Sequence, residues 1–316
     1  MKSSFYVFIL AISSLSALGA TTRTLPFPKN GSAMDTIDKN VRGILRLGNQ
    51  LILTIHNHSY FVVSPFNGIK KFQDQTFGKY SESKRHNFPI GSNKGSWQAA
   101  ISSKNKLALF DGENLRIAVF GSDKFEYIGA KSIAWDLIRP AADRGGEPTK
   151  VETAALRAKF KKNFRSSASL KISGVAPDVG GWLGKKGEYF FLATRIKDFP
   201  LITMRCLDGD MFSCQVDRAC FMRKNSIKPH QLSGIAVDVK NRELLFADAL
   251  NHKILRYNFK TCFDSFKVGE IILPKKINEM TGLHLDENRN MWVVVMKPDS
   301  YHNASVYQWN SASWSE

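Results

Sequence analysis

One pattern recurs five times along this chain and restricts its fold more than any other feature. A small residue and a short apolar strand are followed by a polar turn, a second apolar strand, a loop and a third strand. The copies are VRGILRLGNQLILTIHNHSYFVVSPF from Val41, SWQAAISSKNKLALFDGENLRIAVFG from Ser96, and ISGVAPDVGGWLGKKGEYFFLATRIKDFPLITMRCL from Ile172. The fourth and fifth are LSGIAVDVKNRELLFADALNHKILRYNF from Leu232 and TGLHLDENRNMWVVVMKPDSYHNASVYQWN from Thr281. Turn-forming residues at Gly48-Asn49, Lys104-Asn105, Lys240-Asn241 and Asn288 to Asn290 separate the strands. The strands themselves (LILTI, LALF, YFFLA, ELLFA, MWVVV) are near-continuous apolar runs, as expected of sheets buried on both faces. Segments such as FEYIGAKSIAWDLI from Phe125 and FKVGEIILP from Phe266 offer a fourth strand. Four antiparallel strands per repeat predict an all-β fold, a β-propeller in which each sheet covers the face of the next.

The unit at 232–259 resembles an NHL-type propeller repeat, in which Gly-[Ile/Val]-Ala-[Val/Leu]-Asp precedes Ala-Asp-x-x-Asn-His-[Lys/Arg]-Ile. The matching positions are Gly234, Ala236, Asp238, Asp248, Asn251, His252 and Ile254. The fifth unit keeps GLHLDENRNMWV, and the other three diverge. The resemblance implies the fold and leaves the function open, because one fold hosts many activities. Within it, Asp248, Asn251 and His252 read as turn-building residues. Five blades are favoured, and six are allowed if a divergent blade hides between Ser96 and Ile172. The last unit lacks an outer strand, so closure by an N-terminal strand is expected, with TRTLPF from Thr22 the simplest donor. EPTKVETAALRAKFKKNFRS, near 147–166, reads as a helical insertion, with Pro148 in its first turn and Leu156, Phe160 and Phe164 on one face. Arg157, Lys159, Lys161, Lys162 and Arg165 make that helix basic, suiting either docking on the propeller flank or peripheral contact with a membrane surface.

Met1-Lys2, an apolar run from Phe5 to Ile12, and small residues at Ala17, Gly19 and Ala20 form a secretory signal pattern, so residues 1–20 are expected to be removed. The remainder, 21–316, is read as a single propeller domain in a secreted or periplasmic, monomeric protein. The four cysteines, Cys206, Cys214, Cys220 and Cys262, are then candidates for two disulfides. Three connectivities are open. A two-residue turn at Asp208-Gly209 would set Cys206 opposite Met211, which disfavours a Cys206–Cys214 bridge. Asn30, Asn57 and Asn303 stand in glycosylation sequons that matter only in a eukaryotic source.

With 45 basic against 28 acidic residues the formal charge is +17, which draws a chain toward polyanions. The basic residues are dispersed, and no nucleic-acid-binding signature accompanies them, so no nucleic-acid partner is expected. Ligand chemistry is expected where inner strands and their loops converge. Trp97, Gln98, Asp178, His230, Gln231 and Thr281 are the candidate binding residues there, joined by Asp143, Arg144 and Glu147 of the DRGGEP loop. No catalytic triad elbow, zincin motif or phosphate loop is present. PHQLSGIAVD is similar to the Pro-Asn-Gly-Ile strand of sugar-lactonase-type propellers, which use a divalent metal, but the Asn is not kept. The leading expectation is therefore an exported non-catalytic propeller with no cofactor, binding a glycan, an acidic envelope component or a protein. The alternative is a lactonase- or esterase-like hydrolase holding calcium or zinc, with Asp178 and His230 sharing the metal.

Overall fold

The computed structural model of the chain describes residues 21–26, 34–38, 41–55, 60–65, 73–76, 97–102, 105–112, 116–121, 125, 127–132, 139–140, 172–184, 187–195, 200–207, 210–220, 232–261, 265–274, 279–296 and 303–314. The expected helix at 147–166, the DRGGEP loop, the signal segment, and His230, Gln231 and Cys262 lie outside them.

The described residues form five sheets in a propeller-like all-β arrangement. The first contains Val41–Leu47, Gln50–Ile55, Tyr60–Pro65 and Gln73–Thr76, and the second Trp97–Ile101, Lys106–Asp111, Arg116–Gly121 and Tyr127–Ser132. Ile172–Pro177, Glu188–Thr194, Leu201–Leu207 and Asp210–Cys220 make the third, with Arg139–Pro140 added parallel at its edge. Leu232–Asp238, Glu243–Asp248, Lys253–Phe259 and Ser265–Ile272 make the fourth, and Met280–Leu285, Met291–Met296 and Asn303–Trp309 belong to the fifth.

Burial follows the apolar runs. Leu232–Asp238, Glu243–Asp248 and Met291–Met296 are buried along their whole length, because neighbouring sheets cover both of their faces. The apolar core accordingly divides into layers between successive sheets. Phe110 and Phe190 share the layer between the second and third, at a ring distance of 5.3 Å. Phe191 and Phe259 meet edge-to-face between the third and fourth at 5.1 Å. Further layers join the fourth to the fifth, the fifth to the first through Trp292 and Leu53, and the first to the second through Ile52 and Phe120. The first strands of the five sheets touch one another in the same cyclic order.

That contact explains the small residue opening each unit. Gly174 lies so close to the next strand that a Cβ on it would stand 2.7 Å from the Cα of Gly234, and one on Gly234 would stand 2.8 Å from the amide nitrogen of Leu283. A side chain at either point would have to displace backbone.

Two expectations are corrected. TRTLPF does not complete the fifth sheet: Thr21–Thr24 runs parallel to Ser265–Ile272 on the fourth, and Met34–Asp38 pairs antiparallel with Asn303–Trp309. The cysteines disfavoured as partners are bonded, Cys206 to Cys214. Leu207 faces Asp210, as a tight turn requires, but Arg205 then faces Gln215, so three extra residues bulge from one strand and carry Cys214 to Cys206. Ser213 holds the bulge: its Oγ accepts from the Leu207 amide and donates to the Asp210 carbonyl. Cys220 is also in a disulfide whose partner lies outside the described residues, and no cysteine among those described is free. No helix among the described residues is long and apolar enough to cross a membrane.

Candidate functional site

Each inner strand ends at the same mouth of the ring. Tight turns follow it in four sheets, and the residues that take a left-handed backbone there are Gly48, Asn105, Arg242 and Arg289, with φ of 55°, 52°, 55° and 59°. In the third sheet a longer connection, described over 178–184 and at Gly187, replaces the tight turn. Asp178 folds that loop, its carboxylate accepting from the amides of Trp182 at 3.0 Å and Leu183 at 2.8 Å. Trp182 then stacks on Phe259 and receives the Arg242 guanidinium 5.6 Å over its ring.

The five turns enclose a cavity of about 840 Å³, within the range typical of small-ligand sites. Two residues beyond the glycine position, the inner strands contribute Leu45, Ile101, Ala176, Ala236 and His284 to its lining. Four of these are apolar and one is a histidine. Val179 and Val239, 65% and 49% exposed, form an apolar rim.

The strand-end aspartates Asp178, Asp238 and Asp286 occupy equivalent positions, and two of them tie neighbouring sheets together. Arg289 of the fifth sheet grips Asp238 of the fourth through both oxygens, at 3.0 and 2.7 Å. Arg46 of the first sheet pairs with Asp286 of the fifth. Asp286 also accepts from the Trp292 indole at 3.0 Å, the Asn290 side chain at 3.0 Å, and the amides of Asn288 and Asn290. Burial alone would raise its pKa, but the hydrogen bonds from Trp292, Asn290 and Arg46 outweigh burial and hold the carboxyl below its ordinary value. Arg289 in turn lies 5.1 Å over the buried Trp314, whose indole donates to the Arg289 carbonyl. The charged floor of the mouth is thereby fixed in place by contacts between sheets.

His284 differs from this tied framework. Its Nε2 is buried without a partner among the described residues, an arrangement that costs roughly 1–3 kcal/mol unless something supplies a hydrogen bond. Burial lowers its pKa to about 4; Asp286 pulls the other way and Arg46 reinforces the decrease. The ring is therefore neutral at physiological pH.

Of the candidate binding residues that are described, Asp178 alone is among those lining this cavity. Gln98 and Thr281 lie at the starts of their inner strands, toward the opposite end. Gln98 is buried and donates to the Arg42 carbonyl at 2.7 Å, and the buried Thr281 hydroxyl has no partner among the described residues. The strand carrying Trp97 is described, but its side chain is not. Asp143, Arg144, Glu147, His230 and Gln231 lie outside the described residues, as does the basic patch Arg157 to Arg165. Asp248 and Asn251 build a turn, the carboxylate accepting from the Asn251 amide and side chain. Arg46, Glu188, Tyr189, His284 and Asp286 were not singled out, although lining up the five inner strands, four of them on their glycine, exposes His284 as the polar member of its layer. Among the described residues no three His, Cys, Asp or Glu side chains stand close enough to form a metal cluster.

No family model matches the chain, and no curated protein sequence does. Solved structures resemble it in fold. Glutaminyl cyclase from Myxococcus xanthus aligns with a TM-score of 0.52 at 7% identity, covering 91% of this chain and 97% of that one. Virginiamycin B lyase from Staphylococcus aureus aligns at 0.38 and 11% identity over 87% and 72% of the two chains, and a nidogen/laminin complex at 0.44 and 12% over 91% and 85%. Of these, the glutaminyl cyclase likeness alone is of a score that bears on the fold, and it accords with the propeller-like arrangement of the sheets. Enzymes and a binding protein stand together among them, and at such identities they carry nothing about activity.

Proposed function

We propose that the chain is an exported five-bladed propeller with an NHL-type fourth blade, closed by Met34–Asp38 on the fifth sheet, that binds an uncharged glycan in the mouth formed by the five inner turns. The five core layers and the cyclic contact of the inner strands support the ring. The signal pattern and the disulfides support export.

The observation that carries the ligand class is charge. In a chain of net charge +17, the described residues of the cavity lining include three cationic side chains, Arg46, Lys240 and Arg289, and four acidic ones, Asp178, Glu188, Asp286 and Glu287. A polyanion seated there would meet the carboxylates of this described wall as well as its cations, which favours an uncharged ligand. An uncharged ligand with an apolar face and many hydroxyls suits the Val179 and Val239 rim and the half-buried Tyr189 wall.

Calorimetry of the full chain with uncharged hexasaccharides (β-1,4-glucan, β-1,3-glucan, chitin and mannan fragments) and with a heparin hexasaccharide tests this. At least one uncharged fragment is expected to bind with little salt dependence and to lose binding in Val239→Arg, which places a long charged chain on the rim. Failure of every uncharged fragment, or binding indifferent to Val239→Arg, contradicts the proposal.

A further inference from the structure

We infer that the mouth end of the second, third and fourth sheets docks on an anionic phospholipid bilayer. Its exposed apolar side chains enter the interface while neighbouring cations meet the headgroup phosphates. The surface reaches beyond the glycan site and does not rest on it: Ile128, Leu207, Arg242, Lys260 and Phe266 lie outside the cavity lining.

The one-sidedness of apolar exposure carries the inference. Among the described residues six large apolar side chains are exposed, Ile128, Val179, Leu207, Val239, Leu250 and Phe266, at 40% to 65%. Scattered singly over a surface they would need no explanation, but strand register places five of them at one end. Val179 and Val239 stand just past the ends of inner strands. Leu207 opposes Asp210 at a hairpin tip, beside the Cys206–Glu188 pair. Phe266 is level with Asn258, Glu243 and Asp238, where the fourth inner strand ends. Ile128 adjoins Tyr127, which is level with Phe120, Leu107 and Ile101 at the end of the second inner strand. Leu250 sits at the opposite end, in the turn between Asp248 and Lys253.

Charge on the same arc selects the partner. Among its described residues Lys240, Arg242 and Lys260 are exposed cations, against one exposed acid, Asp210. Lys260 holds its ammonium 5.9 Å over the Phe266 ring, and Arg242 lies 5.6 Å over Trp182. Cations thus stand beside apolar groups, so that a stem can lie along apolar surface while its charge reaches the headgroups. The apolar side chains come from separate turns and strands of three sheets. A rigid protein partner would need a matching pocket for each, whereas a fluid interface admits each one independently.

Co-sedimentation of the full chain with vesicles of phosphatidylcholine, and of phosphatidylcholine mixed with phosphatidylglycerol, tests this. The mixed vesicles are expected to bind and the neutral ones to bind far less. A chain of charge +17 is drawn to any anionic surface, so the deciding variants keep the charge. Leu207→Ser/Phe266→Ser is expected to weaken binding to the mixed vesicles about 10-fold or more. Leu250→Ser, at the opposite end, should leave it unchanged, and Lys260→Gln should weaken it and lower its salt dependence. Melting temperatures check that the variants fold, as exposed positions allow. If the double variant melts early, the single substitutions compared with Leu250→Ser carry the same test. Binding indifferent to Leu207→Ser/Phe266→Ser, or weakened equally by Leu250→Ser, would mean attraction by net charge alone and overturns the inference. So does absence of binding to the mixed vesicles, the outcome expected if this face meets an acidic protein instead.

Discussion

At the scale of single residues, the mouth is held by Asp286. Its carboxylate collects an arginine, an indole, a side-chain amide and two backbone amides, and removing its charge strands the buried donors. Asp286→Ala should destabilise the fold by about 3–5 kcal/mol, as for breaking a buried pair, read by urea unfolding. His284 contributes a pH dependence of opposite chemistry and the same direction. Its folded pKa of about 4 lies below the unfolded value of 6.5, so the unfolded chain binds the extra proton between those limits. The stability present above pH 6.5 is lost as pH falls toward 4, by up to about 3 kcal/mol. Unfolding free energies measured from pH 7 to 4 should show this slope in the wild-type chain and a shallower one in His284→Leu. The histidine was visible in the sequence as GLHLD beside SGIAVD and SGVAP. Its role was not, because nothing in one chain's letters states which polar side chain goes without a partner.

At the scale of strands and turns, the fold was legible where burial dictates composition and illegible where one side chain dictates register. The five units emerged from apolar runs and punctuating turns, and those runs became the covered strands. In the hairpin of the third sheet Leu207 faces Asp210, but the register expected beyond that pair, with Cys206 opposite Met211, is not kept. The bulge beyond it depends on the Ser213 hydroxyl and leaves no periodic trace. A tryptic peptide beginning at Cys206 should therefore carry the Cys206–Cys214 bridge internally, lighter by two hydrogens than its reduced form, and the paired serine substitution should cost about 2.5 kcal/mol, the loop-closure value for so short a ring. The partner of Asn303–Trp309 was sought in TRTLPF, which has a strand-like composition, and the strand that pairs there is MDTID, whose three polar residues suit an edge. Glycine carries meaning at the strand crossings. Gly234→Val should destabilise by about 3 kcal/mol through steric conflict with Leu283, whereas Gly48→Asn, at an open turn with nothing near it, should be close to neutral.

At the scale of the whole molecule, a ring of sheets joined by apolar layers has few ways to hold a ligand other than at its two mouths. The sequence pointed to the starts of the inner strands through Trp97, Gln98, His230 and Thr281, and the cavity enclosed by the described residues lies at their ends, around His284. The two locations make different demands on the same ligand. Methyl NMR of the full chain, labelled at alanine, isoleucine, leucine, valine and threonine, distinguishes them in one titration with the tightest uncharged hexasaccharide. The expected result is that the methyls of Leu45, Ala176, Ala236 and Val239 shift together while Thr281 stays in place. Shifts confined to Thr281 and its neighbours at the opposite end would contradict the placement of the site.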